Sequence, residues 1–473
     1  MFGDYWWFGA LWVSVHLLGM AAAVHAMFGV RTAQGAVAWI VSLLTLPYIA
    51  LPLYLVFGRN KFKGYVRSIR VRSERVREVG RGLVLLHRDF RTVLDGVAEQ
   101  HRVLEELTDI PFTCGNEAKL QVDGAEAFRT MFADIEAARE YVLVQFYIVH
   151  DDSVGREMSR LLCAKAAEGV SVYFLYDELG CYYTPERYWQ QMREAGVRAR
   201  AFGTGRHNRL QINFRNHRKM VVVDGEIAHT GGINLGDEYV GKDPYYGPWR
   251  DTNLRVRGPA VLAFQLSFLA DWDWATGEVP KWRWQPQATN GTSSILVLPT
   301  GPADELENCN LLYLHAIHSA KKRLWIATPY FVPDPPVVQA LQLAALRGVD
   351  VRVLVPQKAD HWLVWLSSFS YQDETEKSGV VFYRYTEGFM HQKAMLVDDD
   401  FAVVGTANLD NRSFRLNFEI SAVFNDMAFT EQVEAMLAQD FQGSHRAEPG
   451  ELARRGFWFR LAVAASRLLA PMQ

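Results

Sequence analysis

Two histidines carry the chemistry open to this sequence, because each begins the same spaced pattern. His217 is followed by Lys219, Asp224, Gly231 and Asn234, and His391 by Lys393, Asp398, Gly405 and Asn408. The offsets from His are two, seven, fourteen and seventeen residues in both copies. Each matched position lowers chance by roughly tenfold at ordinary residue frequencies, so the pattern is a duplication. A His and a Lys held side by side suit phosphate. The ammonium neutralises phosphoryl oxygens, while the imidazole attacks phosphorus or moves a proton. Asn234 and Asn408, beside short glycine-containing turns, can donate further hydrogen bonds to the same oxygens. Brought together, the copies place two His, two Lys and two Asn around one phosphodiester. Such a site needs neither metal ion nor cofactor, and Cys114, Cys163, Cys181 and Cys309 lack metal-ligand spacing.

The segments around each copy must position these side chains. Lys219 to Val223 and Ala394 to Val397 are short apolar runs ended by Asp, and each is followed at once by a second apolar run. This reads as a hairpin twice over, with His and Lys two apart and so projecting to one face of a strand. Asp224 and Asp398, an odd number of residues from their His, complete the catalytic motif as turn-forming or orienting groups. A weaker repeat precedes each motif. Helical spacing at 135–138 and 317–320 leads into strand-like 141–147 and 324–331. Amphipathic helical stretches at 156–168 and 337–347 then end in Gly-Val, before strands at 171–176 and 351–355. Strands alternating with helices imply an α/β layered unit in each half. The boundary between the halves is expected in 280–291, which is rich in Trp, Gln and Pro.

The doubled pattern His-x-Lys-(x)4-Asp-(x)6-Gly-x-x-Asn resembles the phospholipase D superfamily and, more narrowly, bacterial cardiolipin synthases. Asn216-His217-Arg218-Lys219, Trp249-Arg250-Asp251-Thr252, Thr328 to Pro333 and Asn408 to Ser413 carry the likeness, which covers nearly the whole chain. The resemblance implies two phospholipase D-like α/β/α halves with pseudo-twofold symmetry, preceded by a transmembrane helical hairpin. It implies transfer of a phosphatidyl group between two phosphatidylglycerol molecules, through a phosphatidyl-histidine, giving cardiolipin and glycerol. His217 is then the nucleophile and His391 the acid–base. Asp251 and Glu419 are expected to orient the imidazoles, and Thr406 to support the phosphate. Gly232 stands where the family pattern has a hydroxyl. A membrane-bound hydrolase releasing phosphatidic acid, or a synthase taking phosphatidylethanolamine as co-substrate, fits the motifs too. An inert scaffold does not, since both copies are intact.

The 473 residues have room for two domains and additions, and a net charge of −3 argues against nucleic acid as partner. Apolar runs at 6–30 and 36–57 are each long enough to cross a bilayer and are joined by a short link, hence a hairpin, with Pro47 and Pro52 kinking its second arm. No Lys or Arg precedes the first run, unlike a cleaved signal. Eleven Lys and Arg over 59–91 place that stretch, the catalytic halves and both termini on the cytoplasmic side and attract anionic lipid, and the resemblance implies that the membrane is a bacterial inner membrane. The expected divisions are 1–58 for the hairpin, 59–110 for a basic linker, 111–285 and 286–445 for the two halves, and 446–473 for an amphipathic interfacial segment. Within that last segment, 454–469 mixes Arg with Phe, Trp and Leu and reads as an interfacial helix or a docking helix. Residues 360–371, with Trp362 and Trp365, read as a lipid entrance or as core. A homo-oligomer is compatible with all of this.

Overall fold

The computed structural model describes residues 6–30, 32–58, 74–94, 96–203 and 213–473. The chain forms two units, Met1–Arg67 with Thr204–Phe214, and Ser68–Gly203 with Arg215–Gln473. In the first, the helix Trp6–Gly29 is long and apolar enough to span a bilayer. The second apolar run is two helices, Ala33–Thr45 and Pro47–Phe57, and not one kinked span. The break falls at Leu46 because Pro47 has no N–H for the helical ladder and drives the preceding residue out of the helical region. Pro52 lies inside the shorter helix. Ala23, Ala26, Leu43, Ala50 and Tyr54 pack together, and His25 Nδ1 is 2.7 Å from the Tyr54 hydroxyl. The basic side chains from Arg59 to Arg72 lie outside the described residues.

In the second unit, sixteen strands among the described residues share one sheet. At its middle Thr113–Val122 runs antiparallel to Ser293–Thr300, with Thr113 opposite Ile295. Outward from Thr113–Val122 come Thr252–Arg257, Ile227–Gly231, Met220–Val223, Tyr141–Phe146, Ser171–Asp177 and Arg198–Phe202. Outward from Ser293–Thr300 come Asn417–Asn425, Phe401–Gly405, Ala394–Val397, Arg323–Ala327, Asp350–Pro356 and Val381–Tyr385, with Ser444–Arg446 at the edge. A twofold exchange of the halves leaves this order unchanged, the added edge strand apart.

Local sequence explains these elements. Tyr141–Phe146 is buried at every position, as a strand covered on both faces requires. It is parallel to Ser171–Asp177, and the crossover is the helix Ser153–Ala167, which buries Val154, Met158, Leu161 and Leu162 at helical spacing. Asp152 caps that helix, accepting from Gly155 N–H at 2.9 Å; Asp334 does the same for Pro335–Leu346. Gly169 and Gly348, at φ +91° and +86°, end the two helices in the left-handed region. The expected helical stretches at 135–138 and 317–320 are the ends of longer helices, Asp123–Glu136 and Asn308–Ser319. The strand expected over 324–331 stops at Ala327, because Pro329 cannot continue the ladder; Phe331–Val332 pairs instead with Leu409–Asp410. The described part of the expected linker is built into this unit, with Leu94 and Leu104 in the apolar core of the second half.

Two short parallel pairings interlock the halves. Arg215–Asn216 lies against the start of Asn417–Asn425, and Phe389–Met390 lies against Trp249–Arg250. Each pairing delivers one motif histidine to the other half.

Candidate active site

Contrary to the expectation of a strand, the His-x-Lys triplets lie in the extended links between these short pairings and the strands Met220–Val223 and Ala394–Val397. The backbone N–H of His217 donates to the Phe418 carbonyl at 2.9 Å, and that of His391 to the Arg250 carbonyl at 2.8 Å. One residue further along each partner segment stands a carboxylate. His217 Nδ1 is therefore 2.9 Å from Glu419 Oε2, and His391 Nδ1 is 3.0 Å from Asp251 Oδ2. Each imidazole is oriented by the carboxylate of the opposite half. Both carboxylates are fully buried and the two imidazoles nearly so.

The two supports differ in chemistry. Glu419 also accepts from the Thr406 hydroxyl at 2.6 Å, the Ser413 hydroxyl at 2.9 Å and the Asn417 amide at 3.1 Å. Thr406 thus supports the carboxylate, and its hydroxyl is not turned to a phosphate. Asp251 accepts from the Trp249 indole at 3.2 Å and the Thr252 N–H at 2.9 Å. A Cβ at Gly232 would lie 1.9 Å from Asp251 Oδ1, so the missing hydroxyl of the first half is replaced by bare backbone against the shorter acid. The pairs Glu419 with Thr406 and Asp251 with Gly232 fill equivalent space by different means.

Burial governs the charges here. It pushes His217 down to about 4, against the opposing pull of Glu419. Burial and the neighbouring Lys393 push His391 down as well. Burial works to raise the Glu419 carboxyl, but His217, Lys219 and Thr406 outweigh it and hold the group below its ordinary value. A neutral His217 facing an ionised Glu419 must carry its proton on Nδ1, leaving the Nε2 lone pair free for attack. Lys219 Nζ donates to the His217 carbonyl at 2.7 Å and sits 5.5 Å from the Tyr147 ring centroid. Lys393 Nζ is 2.5 Å from the His391 carbonyl and 2.9 Å from its Nδ1. Burial pushes Lys219 well down and Lys393 to about 8, so both amines gain from an anion entering the site.

The other predicted residues are placed differently. The Asp224 carboxylate accepts from the N–H groups of Arg139, Glu140 and Tyr141, each at 2.8 Å. Asp398 accepts from Lys321, Lys322 and Arg323 in the same way, at 2.9, 2.8 and 3.0 Å. Both stand at left-handed turn positions and clamp strand ends, away from the histidines, so neither belongs with the reacting groups. Asn234 is engaged within the protein, donating to the Tyr239 hydroxyl at 2.8 Å and accepting from Ile148 N–H at 3.2 Å. Asn408 is buried, and its Oδ1 has no partner among the described residues. Among the described residues no group of His, Cys, Asp and Glu side chains is arranged to hold a metal ion.

The residue between His and Lys was not singled out from sequence, yet it anchors each triplet. Arg218 donates to Asp271 at 2.8 Å and to the carbonyls of Glu419 and Thr300 at 3.0 Å. Gln392 donates to Asp440 at 2.7 Å, where Arg250 also binds at 2.8 Å. Asp271 and Asp440 lie on the helices Val261–Thr276 and Met427–Gln442. An Asp among the buried residues of each helix was the available signal. Tyr147 and Tyr330 flank the histidines, with ring centroids 5.0 Å from His217 and 6.4 Å from His391.

Comparison with solved structures supports the same class of fold. The structure of phosphatidylserine synthase from Haemophilus influenzae matches with a TM-score of 0.61 at 16% identity, over 79% of this chain and 100% of that one. Polyphosphate kinase from Porphyromonas gingivalis matches with a TM-score of 0.51 at 13% identity, over 78% of this chain and 54% of that one. The likeness to both is one of fold. The family described as "Cardiolipin synthase, PLD-like domain" matches residues 131–244 and 313–441, and "Phospholipase_D-nuclease N-terminal" matches 10–59. Cardiolipin synthase A of Pseudomonas entomophila is 44% identical over 99% of this chain and 98% of that protein. Cardiolipin synthase A of Pseudomonas aeruginosa strain UCBPP-PA14 is 44% identical over 98% of this chain and 96% of that protein. The chain belongs to the cardiolipin synthase family of phospholipase D-like proteins.

Proposed function

We propose that this protein joins two phosphatidylglycerol molecules into cardiolipin and glycerol. The crossed carboxylate pairs carry the reading: they present two imidazoles, each fixed through Nδ1, beside two amines that burial leaves in need of an anion. His217 Nε2 attacks phosphorus, and the bond to the glycerol headgroup breaks as His391 supplies its proton. The phosphodiester charge between Lys219 and Lys393 favours the protonated form of His391, offsetting what burial opposes. The phosphatidyl group then rests on His217. His391, now neutral, takes the proton of a second phosphatidylglycerol hydroxyl, which attacks phosphorus and displaces His217 Nε2. Proton transfer of this kind contributes about 10²–10⁴-fold, and the covalent step and oxygen stabilisation supply the rest.

The apolar start fixes the protein in the inner membrane. Trp6–Gly29 makes one crossing, and the two helices over Ala33–Thr45 and Pro47–Phe57 together make the return. The basic residues after 58 keep the catalytic halves and both termini on the cytoplasmic side. The test is product analysis by mass spectrometry after incubating full-length protein with phosphatidylglycerol vesicles and excess EDTA, beside His217→Ala. Cardiolipin and glycerol, absent with the variant, support the reading. Phosphatidic acid makes the protein a hydrolase, and loss of activity only on adding EDTA refutes the metal-free site.

A further inference from the structure

We infer that the C-terminal helix Phe457–Arg467 and the start of the helix Trp362–Glu376 form a second contact with the bilayer, at the rim of the active site. This rests on the proposed phospholipid substrate. The inner face of the C-terminal helix is fixed. Phe459 packs on Phe369, with ring centroids 5.2 Å apart, and Ser466 donates to the Leu363 carbonyl at 2.6 Å. Val463 and Ser466 are buried. The outer face is apolar and open. Trp458 is 78% exposed, Leu461 47% and Leu468 82%, at the three- and seven-residue spacing of one helical stripe. Phe457 adjoins them, and Trp362 and Leu363 expose 63% and 53% of their surface on the neighbouring helix. Bulky apolar side chains left in water at this density mark an interaction surface.

Charge identifies the occupant. Residues 446–473 carry five Arg against two Glu, and Arg460, between Trp458 and Leu461, is exposed with no ion-pair partner among the described residues. Trp, Phe and Leu interleaved with Arg match the headgroup layer of an anionic bilayer, where rings sit at the interface and guanidinium groups meet phosphates. The position matches as well. Tyr330 lies 5.9 Å from His361 and 6.4 Å from His391 by ring centroids, and its hydroxyl donates to Asp360. Trp362 follows directly in the chain. A lipid headgroup therefore reaches His391 close to the surface that holds its acyl chains in the membrane.

The experiment uses the full chain with Cys114→Ser and Cys163→Ser, in vesicles of phosphatidylglycerol and phosphatidylethanolamine. A spin label is placed at Leu461→Cys or, as a control, at Arg160→Cys. We expect the label at 461 to collide with oxygen more than with a water-soluble nickel chelate, and the label at 160 to do the reverse. Preference for nickel at 461, or shielding from both agents as under a protein partner, overturns the inference. A Trp458→Glu/Leu461→Glu variant should lose about tenfold in turnover of vesicle phosphatidylglycerol while handling monomeric short-chain phosphatidylglycerol within about twofold of wild type. Equal loss on both substrates assigns the helix a structural role only. If the unmutated chain makes cardiolipin from neither substrate, the functional reading falls and the collision measurement alone decides the surface.

Discussion

Glu419 does more than neutralise charge: it fixes which nitrogen of His217 carries the proton. With an amide in its place, Nδ1 loses the ionised acceptor that selects the reactive tautomer, and Thr406 and Ser413, which now donate to different oxygens, are left with one acceptor between them. Glu419→Gln should lower kcat by about 10²-fold or more. Ser413→Ala removes one of several neutral donors and should cost about tenfold at most, in line with about 1 kcal/mol for such a bond. Steady-state kinetics on folded variants separate the two; equal losses would mean that the hydroxyl, and not the carboxylate, orients the ring. The lysines set the pH dependence. Burial pushes Lys393 to about 8, so the free enzyme holds the charge below that value and loses it as pH rises through it. The ratio kcat/KM, which reports the free enzyme, should fall above about pH 8, and kcat should fall only at higher pH because bound phosphate restores the ammonium. A kcat/KM that stays flat to pH 10 would contradict this.

The short elements decide how the site is built. Asp398 clamps three N–H groups at the start of Arg323–Ala327, with its own backbone in the left-handed region. Asp398→Asn keeps that conformation accessible but gives up a charged acceptor, costing about 1–3 kcal/mol. A lower unfolding midpoint with near-normal kcat is expected, measured by thermal unfolding beside turnover; collapse of kcat at full stability would place Asp398 among the reacting groups. Much of this level was legible in the sequence. The hairpins carry short apolar runs separated by turn residues, and the crossover helices carry helical spacing between Asp caps and Gly ends. The fixed offsets exposed both His-Lys pairs, and Asp251 and Glu419 stood out once the family likeness was seen. Which acid serves which ring was not legible. Phe389–Met390 reaches Trp249–Arg250 across about 140 residues through a two-residue pairing, and so short a strand has no period to read. The break at Leu46 was missed for a related reason: the proline was visible, but composition alone does not say whether a helix kinks or stops.

Across the whole catalytic unit, the crossed supports make the two halves chemically interdependent. The first half holds His217 but not the acid that orients it, and the second holds His391 in the same condition. One continuous sheet and the two interlocking pairings hold this arrangement. An altered acid should therefore act through the histidine of the other half: Glu419→Gln weakens the attack by His217, while Asp251→Asn, acting through His391, slows both formation of the phosphatidyl adduct and its discharge. The most direct test is peptide mapping of protein mixed with phosphatidylglycerol and quenched in alkali, comparing wild type with Asp251→Asn. The account predicts a phosphatidyl group on the peptide containing His217 in wild type, and on the same peptide, formed more slowly, in the variant. An adduct on His391, or cardiolipin formed at the normal rate with no adduct on either histidine, would contradict it.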